Sequence, residues 1–354
     1  MAQGKAFSKT AVASAVLFAV LVFGAQLFNF YINSPNDPAG KAVAINIPDG
    51  QGFSLTVKSL EKEHIIRRPF LFRVYAKISG KDISVKAGRY RFSAAQSPAE
   101  ILDALVSGKG RLNRLTVIEG WTVSEIAQAA EKAGFARAAV ITALARDPHF
   151  ARSLGLPGQS VEGYLFPDSY FFPYIESVEK AFAENGAASP EEEKAARNML
   201  VTMVERFREK FTPKLRERAK SLGLTMHQTV ILASVIEKET GDSREYPLVA
   251  SVFYNRIEAG MRLQSDPTVI YGLAGFNGNL TKADLKTDHP YNTYTRKGLP
   301  AGPISNPGSG AIEGTLYPAR TGYFYFVAKN DGTHRFSATL VEHNEAVARY
   351  QRHQ

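Results

Sequence analysis

Charged side chains are absent from residue 10 to residue 36, and the stretch from Ala11 to Tyr31 is mostly apolar. Such a run is long enough to cross a bilayer as one helix, which takes about 20 residues. A cleaved signal peptide has a shorter apolar core, and its best small-residue candidate, Ala25, has Phe23 two positions earlier, where a small residue is wanted. The pattern therefore predicts a tail over 1–10, a membrane anchor over 11–31 and a linker of turn formers over 32–41. Lys5 and Lys9 precede the span, and only Asp37 and Lys41 follow it closely. Positive charge favours the cytoplasmic side, which places the N-terminus there and the bulk of the chain outside.

Beyond the linker the periodicity shortens. "AVAINIPDGQGFSLTVKSLEKEHII" reads as a strand, a Pro-Asp-Gly turn and an amphipathic helix. "VKAGRYRFSAAQSPAEILDALVSGKG" repeats the scheme, with Ser97 and Glu100 at capping-box spacing, Pro98 in the first turn and Gly108 as the stop. "RLTVIEGWTVSEIAQAAEKAG" repeats it again, with Thr122 and Glu125 as the box and Gly134 as the stop. Small strand–helix units of this kind suit binding, or equally a spacer, because residues 42–135 gather no cluster of acids, histidines and hydroxyls. From about residue 155 the chain is dense in aromatic, Gly and Pro residues, among them Tyr164, Phe166, Tyr170 and Phe171, which fill a core or line a sugar groove. A long helical stretch over about 190–222 comes next. Thr225 and Gln228 then start a helix running to about Thr240, and "YFYFVAKNDGTHRFS" alternates as a hairpin around Asp331-Gly332.

Composition removes several kinds of chemistry. With no cysteine in 354 residues there are no disulfides, thiolate nucleophiles or thiolate metal ligands. No metal-binding spacing appears, and His334 in the hairpin reads as packing. The net charge of +9 favours acidic partners. Nucleic acid is disfavoured, because the basic residues are spread out and no run interleaves them with aromatics.

One carboxylate is out of keeping with its surroundings. In "ILASVIEKET", Glu237 follows a run of apolar residues on the helix begun by Thr225. Its helical neighbours are Ala233, Ser234, Thr240 and Gly241, all small, which predicts open space above the carboxyl. Partial desolvation there would raise its pKa and suit a general acid. An ordinary solvated helix end explains the spacing as well.

The text around Glu237 resembles a known family. "LASVIEKET", "VASVFYNRIEAGMRLQSDPTVIYGL", "HPYNTYTRKGLPAGPISNPGSGAIEGTLYPA" and "YFYFVAKNDGTHRFSATLVEHNEAV", with "IEGWT" and "VEGYLFPDSY" before them, are similar to successive signatures of the endolytic murein lytic transglycosylases of the MltG (YceG-like) type. The resemblance implies an α+β protein: a transmembrane helix, a LysM-like peptidoglycan-binding region over 42–150, and a mainly helical catalytic domain over 151–354 with a C-terminal β-hairpin. It implies that Glu237 is the catalytic acid and base, that no cofactor is needed, and that the substrate is the glycan strand of peptidoglycan. The product would carry a 1,6-anhydro muramic acid end. It also implies a bacterial inner-membrane location with the catalytic domain in the periplasm, in company with wall synthases of the penicillin-binding class.

Supporting residues follow from type and spacing. Gln264, Asp266 and Thr268 in "RLQSDPT" can hydrogen-bond a saccharide, although Asp before Pro is as often a turn residue. Tyr291, Asn292 and Tyr294 combine stacking faces with an amide, or close a loop on themselves. Glu162 is the best second carboxylate, and Glu162 or Asp266 would be the base of a water-using hydrolase, the main alternative; a non-catalytic wall-binding scaffold is the other.

Overall fold

The structure, a computed structural model, describes residues 9–108, 111–173 and 188–351. Residues 1–8, and with them most of the expected tail and Lys5, lie outside the described residues. The protein is α+β and about half helical. By its packing the chain divides into two units, residues 1–113 with 171–175 and residues 114–170 with 176–354.

In the first unit the uncharged run forms one helix, α1 (Lys9–Asn33). Its segment Ala13–Asn33 is long and apolar enough to cross a membrane. Most of its side chains are exposed, but Phe28, Tyr31 and Ile32, on one face of the last turns, are buried or half-buried. The chain continues through β1 (Ala42–Ile47), α2 (Phe53–Lys62), α3 (Pro69–Ile78), β2 (Gly88–Ser93), α4 (Pro98–Ser107) and β3 (Arg111–Thr116). Helix α2 stops at Lys62, short of the end at Ile66 of the stretch read as its strand, turn and helix, and His64 turns the chain at φ 57. Pro69 then opens α3, which the periodicity alone did not separate, because Pro is pre-set for a first helical turn.

Strand β1 pairs antiparallel with β2, from Ala42 opposite Ser93 to Ile47 opposite Gly88, in a sheet ordered β1-β2-β3-β4 with β4 (Ser169–Pro173). Alternation sends Ile45, Ile47, Tyr90 and Phe92 inward, where they meet Val57, Leu60, Phe72, Ile101 and Leu105. Each fully buried large side chain contributes about 1.5–3 kcal/mol. The Ser97 capping box forms as its spacing predicts: Glu100 N–H donates to the Ser97 hydroxyl, and Ser97 N–H donates to the Glu100 carboxylate at 2.7 Å.

The second unit holds α5 (Val123–Lys132), α6 (Ala138–Ala145), α7 (Pro148–Ser153), α8 (Pro190–Lys210), α9 (Pro213–Ser221), α10 (Met226–Glu239), α11 (Tyr246–Glu258), α12 (Asp266–Gly272) and α13 (Ser309–Leu316). The hairpin β5 (Tyr325–Ala328) and β6 (His334–Ser337) and the final helix α14 (Leu340–Gln351) complete it. The stretch read as one helix over 190–222 is two, α8 and α9. Thr212 caps the second by accepting from Leu215 N–H, and Pro213 opens it. The helix of the third strand–helix unit, α5, packs here rather than with the two units before it. Helix α10 is central: every side chain from Thr229 to Ile236 is buried, and α11 and α13 pack against it. The Thr225–Gln228 capping box that starts α10 also forms.

Candidate active site

Glu237 lies on the last turn of α10, one residue beyond the fully buried run. Both carboxylate oxygens are held. The Tyr246 hydroxyl donates to Oε1 at 2.6 Å, and the backbone N–H of Gly308 donates to Oε2 at 2.9 Å. Tyr246 gets there because a tight turn, Ser243–Glu245, begins three residues after Thr240, with Asp242 capping it by accepting from Arg244 N–H. The ring of Tyr246 lies on the glycine side of α13: a Cβ on Gly314 would come within 2.5 Å of the Tyr246 Cβ. Gly308 is the N-cap of α13, so the unsatisfied, electropositive end of that helix faces the carboxyl.

A second carboxylate lies across Gly308. The Glu119 side chain passes so close over the glycine that a Cβ there would meet Glu119 Oε1 at 1.8 Å, and only a residue without a side chain admits it. Gly120, at φ +78, flanks Glu237 as well: a Cβ on it would stand 3.4 Å from Glu237 Cγ. Burial pushes the Glu237 carboxyl above its ordinary range; the Tyr246 and Gly308 donors pull it back, the Glu119 charge pushes it further up, and Lys238 lowers it. Burial, with the bond to Glu237, likewise keeps the Tyr246 phenol protonated and therefore a donor. A carboxyl with a raised pKa, at a half-buried position with room on one side, is suited to giving a proton to a substrate oxygen.

Of the small residues over which the helical spacing put that room, Ala233 and Ser234 do not provide it. Ser234 is buried: its hydroxyl accepts from Ile304 N–H at 3.0 Å, and its carbonyl accepts from the Ser305 hydroxyl at 3.1 Å. Ala233 is fully buried too. The small side chains let the 304–306 segment approach the backbone of α10. Open space remains at Gly241, where an added Cβ would touch nothing within 4 Å.

Glu162 is only 3% exposed, and its carboxylate accepts from Val123 N–H at 3.0 and 3.1 Å, Asn306 Nδ2 at 2.8 Å and the Tyr271 hydroxyl at 3.1 Å. Burial pushes it up to about 7 against those donors. Asn306 also binds the carbonyl of Trp121 through Nδ2 and accepts Leu165 N–H at Oδ1, while Gly120 N–H donates to the Asn306 carbonyl. Glu162 and Asn306 thus brace the two segments that carry Glu119, Gly120 and Gly308 to Glu237, and no face of Glu162 is left for a sugar.

The remaining expected residues separate by exposure. The Tyr294 hydroxyl donates to Asp266 Oδ1 at 2.5 Å, and beside it the Ser265 hydroxyl donates to Glu239. Burial pushes Glu239 up to about 7, with the Asp266 charge adding to the rise and the Ser265 and Arg256 partners opposing it. Gln264 is exposed, holds a left-handed backbone at φ 50, and makes no side-chain hydrogen bond among the described residues, which leaves its amide open to a ligand. Tyr291 is half-buried, its ring 4.9 Å from that of Tyr271. Thr268 and Asn292 are buried and spent on their own loops: the Thr268 hydroxyl donates to Ser265 O at 2.6 Å, and the Asn292 amide binds Thr287 O at 2.7 Å and accepts Tyr294 N–H at 2.8 Å. Glu119, Tyr246 and Gly308, which enclose Glu237, were not picked out from the sequence. The one local signal was "IEGWT", where an acid and a glycine stand directly before a helix cap.

Comparison with known proteins shows the chain's relatives. An "Endolytic murein transglycosylase" of Bacillus subtilis is 30% identical, with 94% of this chain and 91% of the relative covered. A protein of the same name from Streptococcus pneumoniae is 28% identical over 88% of this chain, which spans 58% of that relative's length. A solved structure of a putative yceG-like protein from Listeria monocytogenes superimposes with a TM-score of 0.58 at 31% identity, covering 86% of this chain and 98% of the other. The sequence model of the YceG-like family matches residues 45–349. The chain belongs to the YceG-like family.

Proposed function

We propose that the chain is a membrane-anchored lytic transglycosylase that cuts peptidoglycan glycan strands internally, between N-acetylmuramic acid and N-acetylglucosamine. The observation that carries this reading is the doubly held, half-buried carboxyl of Glu237, with its pKa raised by burial. The curated names of the relatives from Bacillus subtilis and Streptococcus pneumoniae support it. Glu237 protonates the glycosidic oxygen as the C1–O bond breaks. The Tyr246 hydroxyl and the Gly308 N–H then stabilise the carboxylate that is left. That carboxylate takes the proton of the muramic 6-hydroxyl as its oxygen closes on C1, giving the 1,6-anhydro end with no water consumed. Holding the sugar's own hydroxyl in range replaces a positioned water, which is worth several kcal/mol of orientation.

Asp266, Tyr294, Gln264 and Tyr291 are the expected residues with exposed or half-exposed groups for the saccharide. Helix α1 is the anchor, with the N-terminus in the cytoplasm, and the compact β–α–α–β build of the first unit supports a LysM-like wall-binding role for it. The placement implies work near wall synthases of the penicillin-binding class. A water-using hydrolase is the second reading, favoured by one feature: Glu119 stands across Gly308 from Glu237, where a second carboxylate would activate water. Mass spectrometry of the digest decides between them. An anhydro product is lighter by one water and takes no ¹⁸O from labelled solvent at the new muramic end; label there from the first turnovers establishes the hydrolase and sinks the transglycosylase reading.

A further inference from the structure

The last turns of α1 are packed against the first unit while still inside the apolar span. Phe28, Tyr31 and Ile32 are the residues covered. Phe28 precedes the end of the span at Asn33 by five residues, which is about 7.5 Å of helix rise. The Tyr31 hydroxyl donates to the carbonyl of Arg68 at 3.1 Å, and Asn36 Nδ2 donates to the carbonyl of Ile65 at 2.7 Å. The corner between α2 and α3 is therefore fastened to the helix at a level where a spanning α1 is still among lipid. The headgroup layer is only about 5–7 Å deep on each side of the hydrocarbon, so the corner cannot stand clear of it.

Its side chains suit that place. Phe70 is 71% exposed, next to exposed Arg67 and Arg68 and half-buried Pro69. From Ile65 to Lys81 the chain carries Arg67, Arg68, Arg73, Lys77 and Lys81 and no acid; the nearest upstream acids, Glu61 and Glu63, belong to the end of α2. Lys81 is paired with Asp103, whereas Arg67, Arg68 and Lys77 make no ion pair among the described residues. An exposed ring flanked by unpaired guanidinium groups, held at headgroup depth, matches an anionic bilayer surface in both its apolar and its charged parts.

We propose that the Arg67–Phe70 corner is a second membrane contact, with the Phe70 ring inserted at the acyl boundary and Arg67 and Arg68 on anionic phospholipid headgroups. It rests on the reading of α1 as a membrane span. The contact fixes the height and tilt of the first unit on the leaflet where α1 emerges, which a flexibly linked single helix does not. Each basic residue near an anionic surface favours the bound state roughly five-fold.

The absence of cysteine makes the test direct. In the full chain, Phe70→Cys and, separately, Leu21→Cys carry a nitroxide, and the protein is reconstituted in phosphatidylcholine vesicles with and without phosphatidylglycerol. Collision with a water-soluble nickel relaxant is measured against the free label in buffer. The expected result is strong protection at position 21 in both vesicles and several-fold protection at position 70 with phosphatidylglycerol. The protection at 70 should fall on removing that lipid or in the Arg67→Glu, Arg68→Glu background. A protected position 21 with position 70 as accessible as the free label overturns the contact and leaves the span standing. An accessible position 21 overturns the span, and the proposal with it. Equal protection at 70 in both vesicles and in the charge-reversed background overturns the anionic-lipid assignment.

Discussion

Replacing Gly308 with alanine puts a methyl group where Glu119 now lies, 1.8 Å from its Oε1, 2.2 Å from Cδ and 2.7 Å from Cγ. The backbone at φ −78 and ψ 176 is open to any residue, and the N–H that binds Glu237 is retained. The substitution should therefore act by expelling the Glu119 carboxylate into solvent and do little else. Two unit charges a few ångströms apart near a protein surface interact by at most about 4 kcal/mol at an effective dielectric of 20. Because Glu119 is exposed, screening cuts this to about 1 kcal/mol or less. Losing that like charge removes one of the causes that raise the Glu237 pKa, and so lowers it. On the proposed mechanism Glu237 is the acid, so the fall in kcat/KM with rising pH should begin at a lower pH. If the Glu119 charge also supports the cationic transition state, turnover drops about fivefold. The assay is the initial rate of new glycan ends, read by liquid chromatography and mass spectrometry across the pH range, with Tm as a check on folding. Glu119→Gln should reproduce the shift, and in that background Gly308→Ala should add little, since the two changes remove one interaction. Wild-type turnover with an unmoved pH profile in Gly308→Ala, or an equal loss with and without Glu119, would refute the reasoning.

Glu237→Gln keeps the shape and both donors but has no acidic proton, so turnover should fall by at least about 10² to 10⁴ with Tm and glycan retention preserved; near-normal turnover would remove Glu237 from the mechanism. Burial holds the Glu239 carboxyl at about 7 in the folded protein against an ordinary 4.5, so its contribution to stability is full below about pH 4.5 and is lost as pH rises through 7. The loss is on the order of 1–3 kcal/mol, visible as a decline of Tm over that window that Glu239→Gln should flatten. A glycan acetylated on the muramic 6-hydroxyl should resist cleavage if that oxygen is the nucleophile, whereas ready cleavage would mean that water attacks. The full chain should stay with membranes through alkaline carbonate extraction, and its recovery in the soluble fraction would mean that α1 is not an anchor.

Much of this architecture was legible because its causes are local. An uncharged run long enough to span a bilayer became α1, and the Ser97, Thr122 and Thr225 capping boxes formed where their spacing put them. Asp331-Gly332 closed the hairpin, with Gly332 at φ 85. In each case the side chains that decide the element lie within a few residues of the backbone they satisfy. Glu237 was legible as a carboxyl at the end of a buried helix and as part of a family motif. What surrounds it was not. Gly308 is 71 residues further along the chain, and Glu119 reaches the site from the segment just before α5. No periodicity records such meetings, because they depend on how helices and loops close on one another. For the same reason Ala233 and Ser234 were misread as open space: smallness along a helix permits close approach, and only packing decides whether the neighbour is a substrate or the 304–306 segment. Glu162 and Asn292 have the chemistry of sugar-binding residues in the sequence, and tertiary structure spends both on internal hydrogen bonds, since a buried polar group left without partners costs about 1–3 kcal/mol.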